Sequence, residues 1–298
     1  MTLLIRLQCL FFFLFSLICL PVWALDATQK GPHSLKTLST LANLTEPTSV
    51  PHPPHVRAKS YVLIDSKTQE IIAAKDPNQQ EEPASLTKLM SLYLISDALK
   101  NKQIQEKDLV NISVKAWRSK GSRMFIREGR KVPVGELIHG IAVQSGNDAT
   151  IAMAEYHAGS EDAFVASMNH MAKKLNLFNT HFSNPTGLPA TDHYSTALDL
   201  AHLAIHTIND FPEYYKWYSI KSFTYNRIKQ YNRNVLIWKT DYVDGLKTGF
   251  TQNAGYCLIA SGKKQDSRYI VVLMGEPSNK RRFTDAQTLF SYGFRFFH

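Results

Sequence analysis

Cysteine is nearly missing from this sequence: 298 residues carry three. Cys9 and Cys19 fall in the apolar N-terminal segment, so Cys257 alone lies beyond it and an intrachain disulfide there is excluded. Cys257 stands in the apolar stretch AGYCLIAS, where a buried structural thiol is the expected use. Acidic residues are in deficit, giving a formal net charge of +9. The basic residues are scattered all the same, and the tightest cluster is Lys280, Arg281, Arg282. The basic stripe with interleaved aromatics of a nucleic-acid binder is not seen, so no nucleic-acid partner is expected. A basic surface also suits an acidic polymer or an anionic membrane face. No internal repeat occurs. Beyond the N-terminus no apolar run is long enough to span a bilayer, which takes about 20 residues. His202 and His206 in LAHLAIH are spaced i, i+4 with Asp199 three residues before, yet no H-E-x-x-H pattern forms. Helix packing is the expected role of these histidines, and no metal or cofactor is expected. His52 and His55 in HPPH read as solvated.

What is present begins with a targeting pattern. Arg6 gives a positive start, Leu7 to Leu20 an apolar core, and PVWA places Val22 and Ala24 at the −3 and −1 positions. Residues 1–24 therefore read as a signal peptide cut after Ala24. Ile18 before Cys19 argues against a lipoprotein. Residues 25–58 are polar and end in SVPHPPH, a flexible leader or linker. SYVLIDSKTQEIIAAK reads as two strands around a turn at Ser66 and Lys67. A helix is expected from Ser85, and helical patterns dominate from about 100 to 220. In SEDAFVASMNHMAKKLNL, Phe164, Met168, Met171 and Leu175 repeat at helical spacing behind Ser160 as N-cap. From 220 onward, SFTYNRI, DGLKTGFT, GYCLIASGKK and RYIVVLMGE read as strands, and a last helix covers Lys280 to Phe297. Strands, helices, strands and a helix in that order predict an α+β domain over 59–298. Its antiparallel sheet is built from both chain ends, with flanking helices and a helical insertion at about 100–220. The functional cleft is expected where the parts meet.

The stretch EEPASLTKLMSLYLISDALK places Ser85 and Lys88 three residues apart at the start of an apolar helix. Positions i and i+3 share a helix face. Pro83 just upstream favours a helix start. The positive helix N-terminus favours an oxyanion on Ser85 and disfavours a protonated lysine, as burial also does. A free lysine titrates near 10.4, so fewer than about one in a thousand is neutral at pH 7. A lysine pushed down by burial, dipole and a neighbouring cation can serve as general base for the Ser85 hydroxyl. S-x-x-K also arises by chance, and a first-turn lysine can reach solvent. Its weight comes from two later stretches. AVQSGNDA carries Ser145, Gly146 and Asn147. They are turn chemistry on one reading. On the other they are a second hydroxyl to relay protons and an amide to hold a substrate amide. VDGLKTGFT carries Lys247, Thr248 and Gly249. They are an edge-strand guard on one reading. On the other they are a cation and a hydroxyl for a substrate carboxylate, with Gly249 allowing a substrate backbone to approach.

These three motifs, in this order, are those of penicillin-binding proteins and serine β-lactamases. The sequence resembles the low-molecular-mass penicillin-binding proteins that are D-alanyl-D-alanine carboxypeptidases, a serine-type DD-peptidase family. The resemblance runs from about Ser60 to Phe297 and includes PASLTK, QSGNDA, AMAEYHAGSEDAFV, NTHFSNPTGL, DGLKTGFT and AGYCLIAS. It implies that Ser85 is the nucleophile and forms an acyl-enzyme, with Lys88 as its base. Ser145 would relay the proton, and Asn147 would line the cleft. Lys247 and Thr248 would hold the terminal carboxylate of D-alanine, with Lys247 also lowering the pKa of Lys88. The backbone N–H groups of Ser85 and Phe250 would form the oxyanion hole. Arg233 in YNRN and Arg282 are further candidates beside the carboxylate. Phe250 stands where some members carry His, a change that a backbone role survives. Longer members add a C-terminal β-rich domain and an amphipathic anchor helix. This chain stops at YGFRFFH, so neither is expected.

The resemblance implies removal of the terminal D-alanine from peptidoglycan pentapeptides, with stem peptides as partners and β-lactams as covalent inhibitors. A secreted, periplasmic or envelope-face location follows from the signal peptide, and peripheral membrane association stays open. A DD-endopeptidase cutting cross-bridges uses the same chemistry and is the alternative. A serine β-lactamase with S-x-x-K and K-T-G needs a deacylating glutamate. From Ala163 to Pro212 there is none.

Overall fold

The computed structural model describes residues 50–297. Residues 1–49, read from sequence as a signal peptide and most of a leader, lie outside the described residues. Two N-terminal strands, β1 (Ser60–Asp65) and β2 (Ile71–Lys75), join three C-terminal ones, β7 (Val243–Thr251), β8 (Gly255–Lys264) and β9 (Ser267–Glu276). They form an antiparallel sheet in the order β2-β1-β9-β8-β7. The chain ends thus meet in mid-sheet, where β1 pairs with β9. The continuous apolar runs of these strands arise because both sheet faces are covered. Val62, Ile64, Ile259, Ile270 and Val272 face one core; Leu63, Leu258, Ala260, Val271 and Leu273 face the other. This is the period of two that a pleated strand imposes.

The first core is shared with α1 (Lys88–Lys100), α4 (Asn147–Ala158), α5 (Glu161–Lys174) and α6 (Ala197–Asp210). The second lies under α9 (Asn279–Phe296). Helix α1 is apolar almost all round because it is buried almost all round. Its buried Ser91 and Ser96 are satisfied by the carbonyls of Pro185 and Leu92. Ser160 caps α5 by accepting from Ala163 N, with Phe164 and Met168 buried. Short elements complete the helical region: β3 (Leu109–Asn111) paired with β4 (Lys131–Pro133), α2 (Val114–Trp117), α3 (Val134–His139) and α7 (Pro212–Tyr215). A hairpin of β5 (Ser222–Tyr225) and β6 (Ile228–Tyr231), then α8 (Leu236–Lys239), leads back to the sheet. The β3–β4 pair interrupts the helical pattern that dominates from about 100 to 220, while β5 falls in SFTYNRI, where a strand is expected.

Two boundaries differ from expectation. Residues 50–58, read as the end of a flexible linker, belong to the compact unit, which begins at Val50. Val56 and Ala58 alternate into the second core. Arg57 N donates to Asp285, Lys75 Nζ to the Ala58 carbonyl and Tyr292 OH to the Pro51 carbonyl. Ser85 does not open α1. It sits in a 3-10 turn, Ala84–Thr87, and Lys88 begins the α-helix.

Candidate active site

The tight turn still brings Ser85 and Lys88 together. Lys88 Nζ lies 3.0 Å from Ser85 Oγ and 2.5 Å from the carbonyl oxygen of Thr186. Lys88 is fully buried. Burial first, then Lys247 and Arg233, hold its ammonium well below the ordinary lysine range, while Asp148 pulls the other way. A neutral amine at this position can donate one N–H to the Thr186 carbonyl and accept the Ser85 proton, as a general base does.

A cavity of about 260 Å³ opens over Ser85. Gly121, Ser122, Ser145 and Arg233 line one part; Thr248, Gly249, Phe250 and Arg282 line the other. Ser145 follows a π-helical stretch, Gly140–Gln144, and takes the left-handed conformation (φ 63°). Its buried Oγ has no hydrogen-bond partner among the described residues. A non-glycine residue held in that region is a strained conformation concentrated at functional sites. Asn147, Lys247 and Lys88 lie buried beside these lining residues. Asn147 donates to the Lys120 carbonyl at 2.6 Å and leaves its own Oδ1 unpartnered among the described residues.

Strand β7 forms the far wall at the sheet edge. Burial, with Arg233 and Arg282 nearby, lowers the Lys247 ammonium to about 7. Its hydrogen bond is a long one, 3.4 Å to the Thr248 carbonyl. Arg282 on α9 donates to the Gly249 carbonyl at 2.9 Å and to that of Cys257 at 3.3 Å, bracing β7 to β8. Gly249, which lines the cavity, is also closely packed on the side of the Ser85 turn. A Cβ there would lie 3.1 Å from the Pro83 carbonyl oxygen and 3.2 Å from Ser85 N. Phe250 is half exposed and packs on Tyr256, ring centroids 4.4 Å apart.

A family model described as D-alanyl-D-alanine carboxypeptidase matches residues 47–278. The chain belongs to the D-alanyl-D-alanine carboxypeptidase family. It is 44% identical over 257 residues to the D-alanyl-D-alanine carboxypeptidase DacA of Escherichia coli K12, covering 84% of this chain and 64% of that protein. The chain thus spans just under two thirds of the length of this curated relative. The crystal structure of penicillin-binding protein 5 from Haemophilus influenzae superposes with a TM-score of 0.80 at 43% identity, over 81% of this chain and 72% of that one. Penicillin-binding protein D2 of Listeria monocytogenes, solved in an ampicillin-bound form, gives 0.75 at 27% identity, over 81% and 99%. The α+β fold expected from sequence is the fold of these family neighbours.

In this family member several supporting residues escaped the sequence reading. Asn184 Oδ1 accepts from the backbone N–H of Thr186, Gly187 and Leu188, shaping the loop whose Thr186 carbonyl meets Lys88. His193 accepts from Ser183 N at Nδ1, so its proton resides on Nε2, 2.8 Å from Thr87 Oγ1. Burial first, then His181 and Lys88, push the imidazole down to about 4, so it is neutral at pH 7. Asp148 accepts from the backbone N–H of Met124, Phe125, Ile126 and Ala149, pinning the 121–126 loop to α4. Only the Asn-Pro-Thr-Gly and Ser-Gly-Asn-Asp turn chemistry hinted at these residues. Among the described residues, no three His, Cys, Asp or Glu cluster as metal ligands. Cys257 is fully buried, and burial raises its thiol to about 11. His206 faces Asp210 on its own helix at 3.3 Å.

Proposed function

We propose that this protein is a serine-type D-alanyl-D-alanine carboxypeptidase that trims the terminal D-alanine from peptidoglycan pentapeptides through an acyl-enzyme on Ser85. The observation that carries the reading is the buried Lys88 amine 3.0 Å from Ser85 Oγ. Lys88 takes the Ser85 proton as Oγ attacks the carbonyl of the penultimate D-alanine. The oxyanion develops toward the N–H groups of Ser85 and Phe250. The proton passes to the leaving amine, with the unpartnered Ser145 hydroxyl as relay, and D-alanine departs. Water then hydrolyses the ester. Asn147 holds the substrate amide. Lys247, Arg233 and Arg282 supply the positive field for the terminal carboxylate, and Thr248 donates to it. β-Lactams acylate the same serine. Their acyl-enzymes hydrolyse slowly, since residues 163–212 hold no glutamate to activate water as in a serine β-lactamase. The N-terminal signal pattern supports export to the periplasm or envelope face. Among the described residues no helix is long and apolar enough to cross a membrane.

The three cations favour a free chain-end carboxylate over a cross-bridge. Mass spectrometry of products from a pentapeptide muropeptide and a cross-linked dimer tests this. Loss of one D-alanine from the pentapeptide, with the dimer intact, is expected. Rapid cutting of the dimer with the pentapeptide untouched would establish the endopeptidase.

A further inference from the structure

One surface segment carries basic residues with no acidic ones to offset them. Residues 214–240 hold six Lys and Arg and no Asp or Glu. In the fold this segment is α7, the β5–β6 hairpin and α8, with their connections. Its outer face presents Tyr231 and Trp238, 56% and 44% exposed, beside exposed Ile228. The two rings lie 6.2 Å apart. Lys221 Nζ stands 5.6 Å from the Trp238 ring centroid, and Lys229 Nζ 5.4 Å from that of Tyr231. Lys239 is exposed beside Trp238 in the chain. Exposed aromatic area framed by ammonium groups marks an interaction surface for an anionic partner with apolar faces.

This face is continuous with the candidate active site. Arg233, which lines the cavity, follows Tyr231 by two residues, a reach of at most about 7 Å. The linking segment is rigid. Asn232 donates to the carbonyls of Tyr218 and Ile220, and Asn234 to that of Gly245. Both asparagines are buried. Whatever docks on Tyr231 and Trp238 is therefore held in fixed register with the cavity.

We propose that this aromatic and cationic face is an exosite for polymeric substrate, binding glycan–peptide strands that carry repeated carboxylates. The inference rests on the function proposed above. The rings offer flat area to sugar and peptide, and the ammonium groups pair with stem carboxylates. Single exposed ion pairs are weak, but a polymer engages several together with the catalytic cavity. The enzyme accordingly prefers assembled wall polymer to a free pentapeptide.

Two variants test the exosite: Tyr231→Ala with Trp238→Ala, and Lys221→Gln with Lys229→Gln. All four residues are exposed, and the second pair leaves the rings in place. KM for D-alanine release from purified high-molecular-mass peptidoglycan is expected to rise at least about fivefold, while kcat/KM on a soluble pentapeptide stays within about twofold. In a Ser85→Ala background, co-sedimentation with the insoluble polymer is expected to weaken with either variant and with added salt. Unchanged polymer KM and unchanged sedimentation overturn the exosite. So does loss of binding to phosphatidylglycerol vesicles alone, which assigns the face to a membrane surface. A wild type that fails on the pentapeptide refutes the proposed function, and the sedimentation arm still decides the exosite.

Discussion

The base role proposed for Lys88 sets two requirements against each other: a base must be neutral at working pH, and a lysine is ordinarily charged. Burial and the neighbouring cations Lys247 and Arg233 resolve the conflict by lowering its pKa. Lys88→Arg keeps a cation that cannot give up its proton. Acylation by a β-lactam is expected to fall about 10²–10⁴-fold while the circular dichroism spectrum stays that of the wild type. Near-normal acylation removes the base role. Lys247, lowered to about 7, is charged below that pH and loses its charge above it. Arg282, lowered to about 10, stays charged across the same range. The preference for a terminal D-alanine acid over its amide is therefore expected to be at least about tenfold at pH 6 and to shrink between pH 6 and 9. The ratio of kcat/KM values for the two peptides measures it, and Lys247→Gln is expected to flatten it. A ratio independent of pH in the wild type assigns the carboxylate to the arginines alone. Ser85 and Lys88 were legible in the sequence because one helical turn fixes their proximity. The Thr186 carbonyl was not, since it arrives from 98 residues away and any residue type has a carbonyl.

Elements were legible where period and caps agreed. β1, β7, β8, β9, α5 and α9 fall where the patterns placed them, because each buries a continuous or periodic apolar set. The 3-10 turn at Ser85 was not legible. Its shape is imposed by β7 and by the loop around Gly187, which press on it from two sides. Gly187 has φ +81°, and a Cβ there would lie 1.8 Å from the Ala84 carbonyl oxygen. Gly187→Ala is expected to cost about 2–4 kcal/mol in denaturant unfolding and to slow acylation, since the loop and the Ser85 turn cannot both keep their places. Gly159 has a similar φ, +79°, with nothing within 4 Å of an added Cβ. Gly159→Ala is expected to cost only about 1–2 kcal/mol, with acylation unchanged. Equal effects at the two glycines would show that backbone conformation alone matters at Gly187.

Over the whole molecule, the sheet joins both chain ends and leaves the cavity between sheet edge and helices. This topology was legible from the order of periods. The start of the compact unit was not: Val56 and Ala58 are a short alternation inside a polar stretch, and the core of sheet and α9 residues they join is assembled from distant parts of the chain. Glu276, at the end of β9, is fully buried near this seam. Burial, with Asp285 beside it, raises its carboxyl to about 7. The native state therefore holds a proton that the unfolded chain releases above about 4.5, so this group's contribution to stability declines as pH rises from 4.5 to 7. Glu276→Gln is expected to raise Tm at pH 8 relative to the wild type and to change it little at pH 4.5. Identical shifts at both pH values would show that the carboxyl is ionised throughout.

Acylation of Ser85 is the central proposal. Intact-mass spectrometry after ampicillin treatment, followed by peptide mapping, reads this directly. A single adduct on the peptide containing Ser85, absent from Ser85→Ala, is the expected result. An adduct that persists in Ser85→Ala, or a wild type that takes up none, contradicts it.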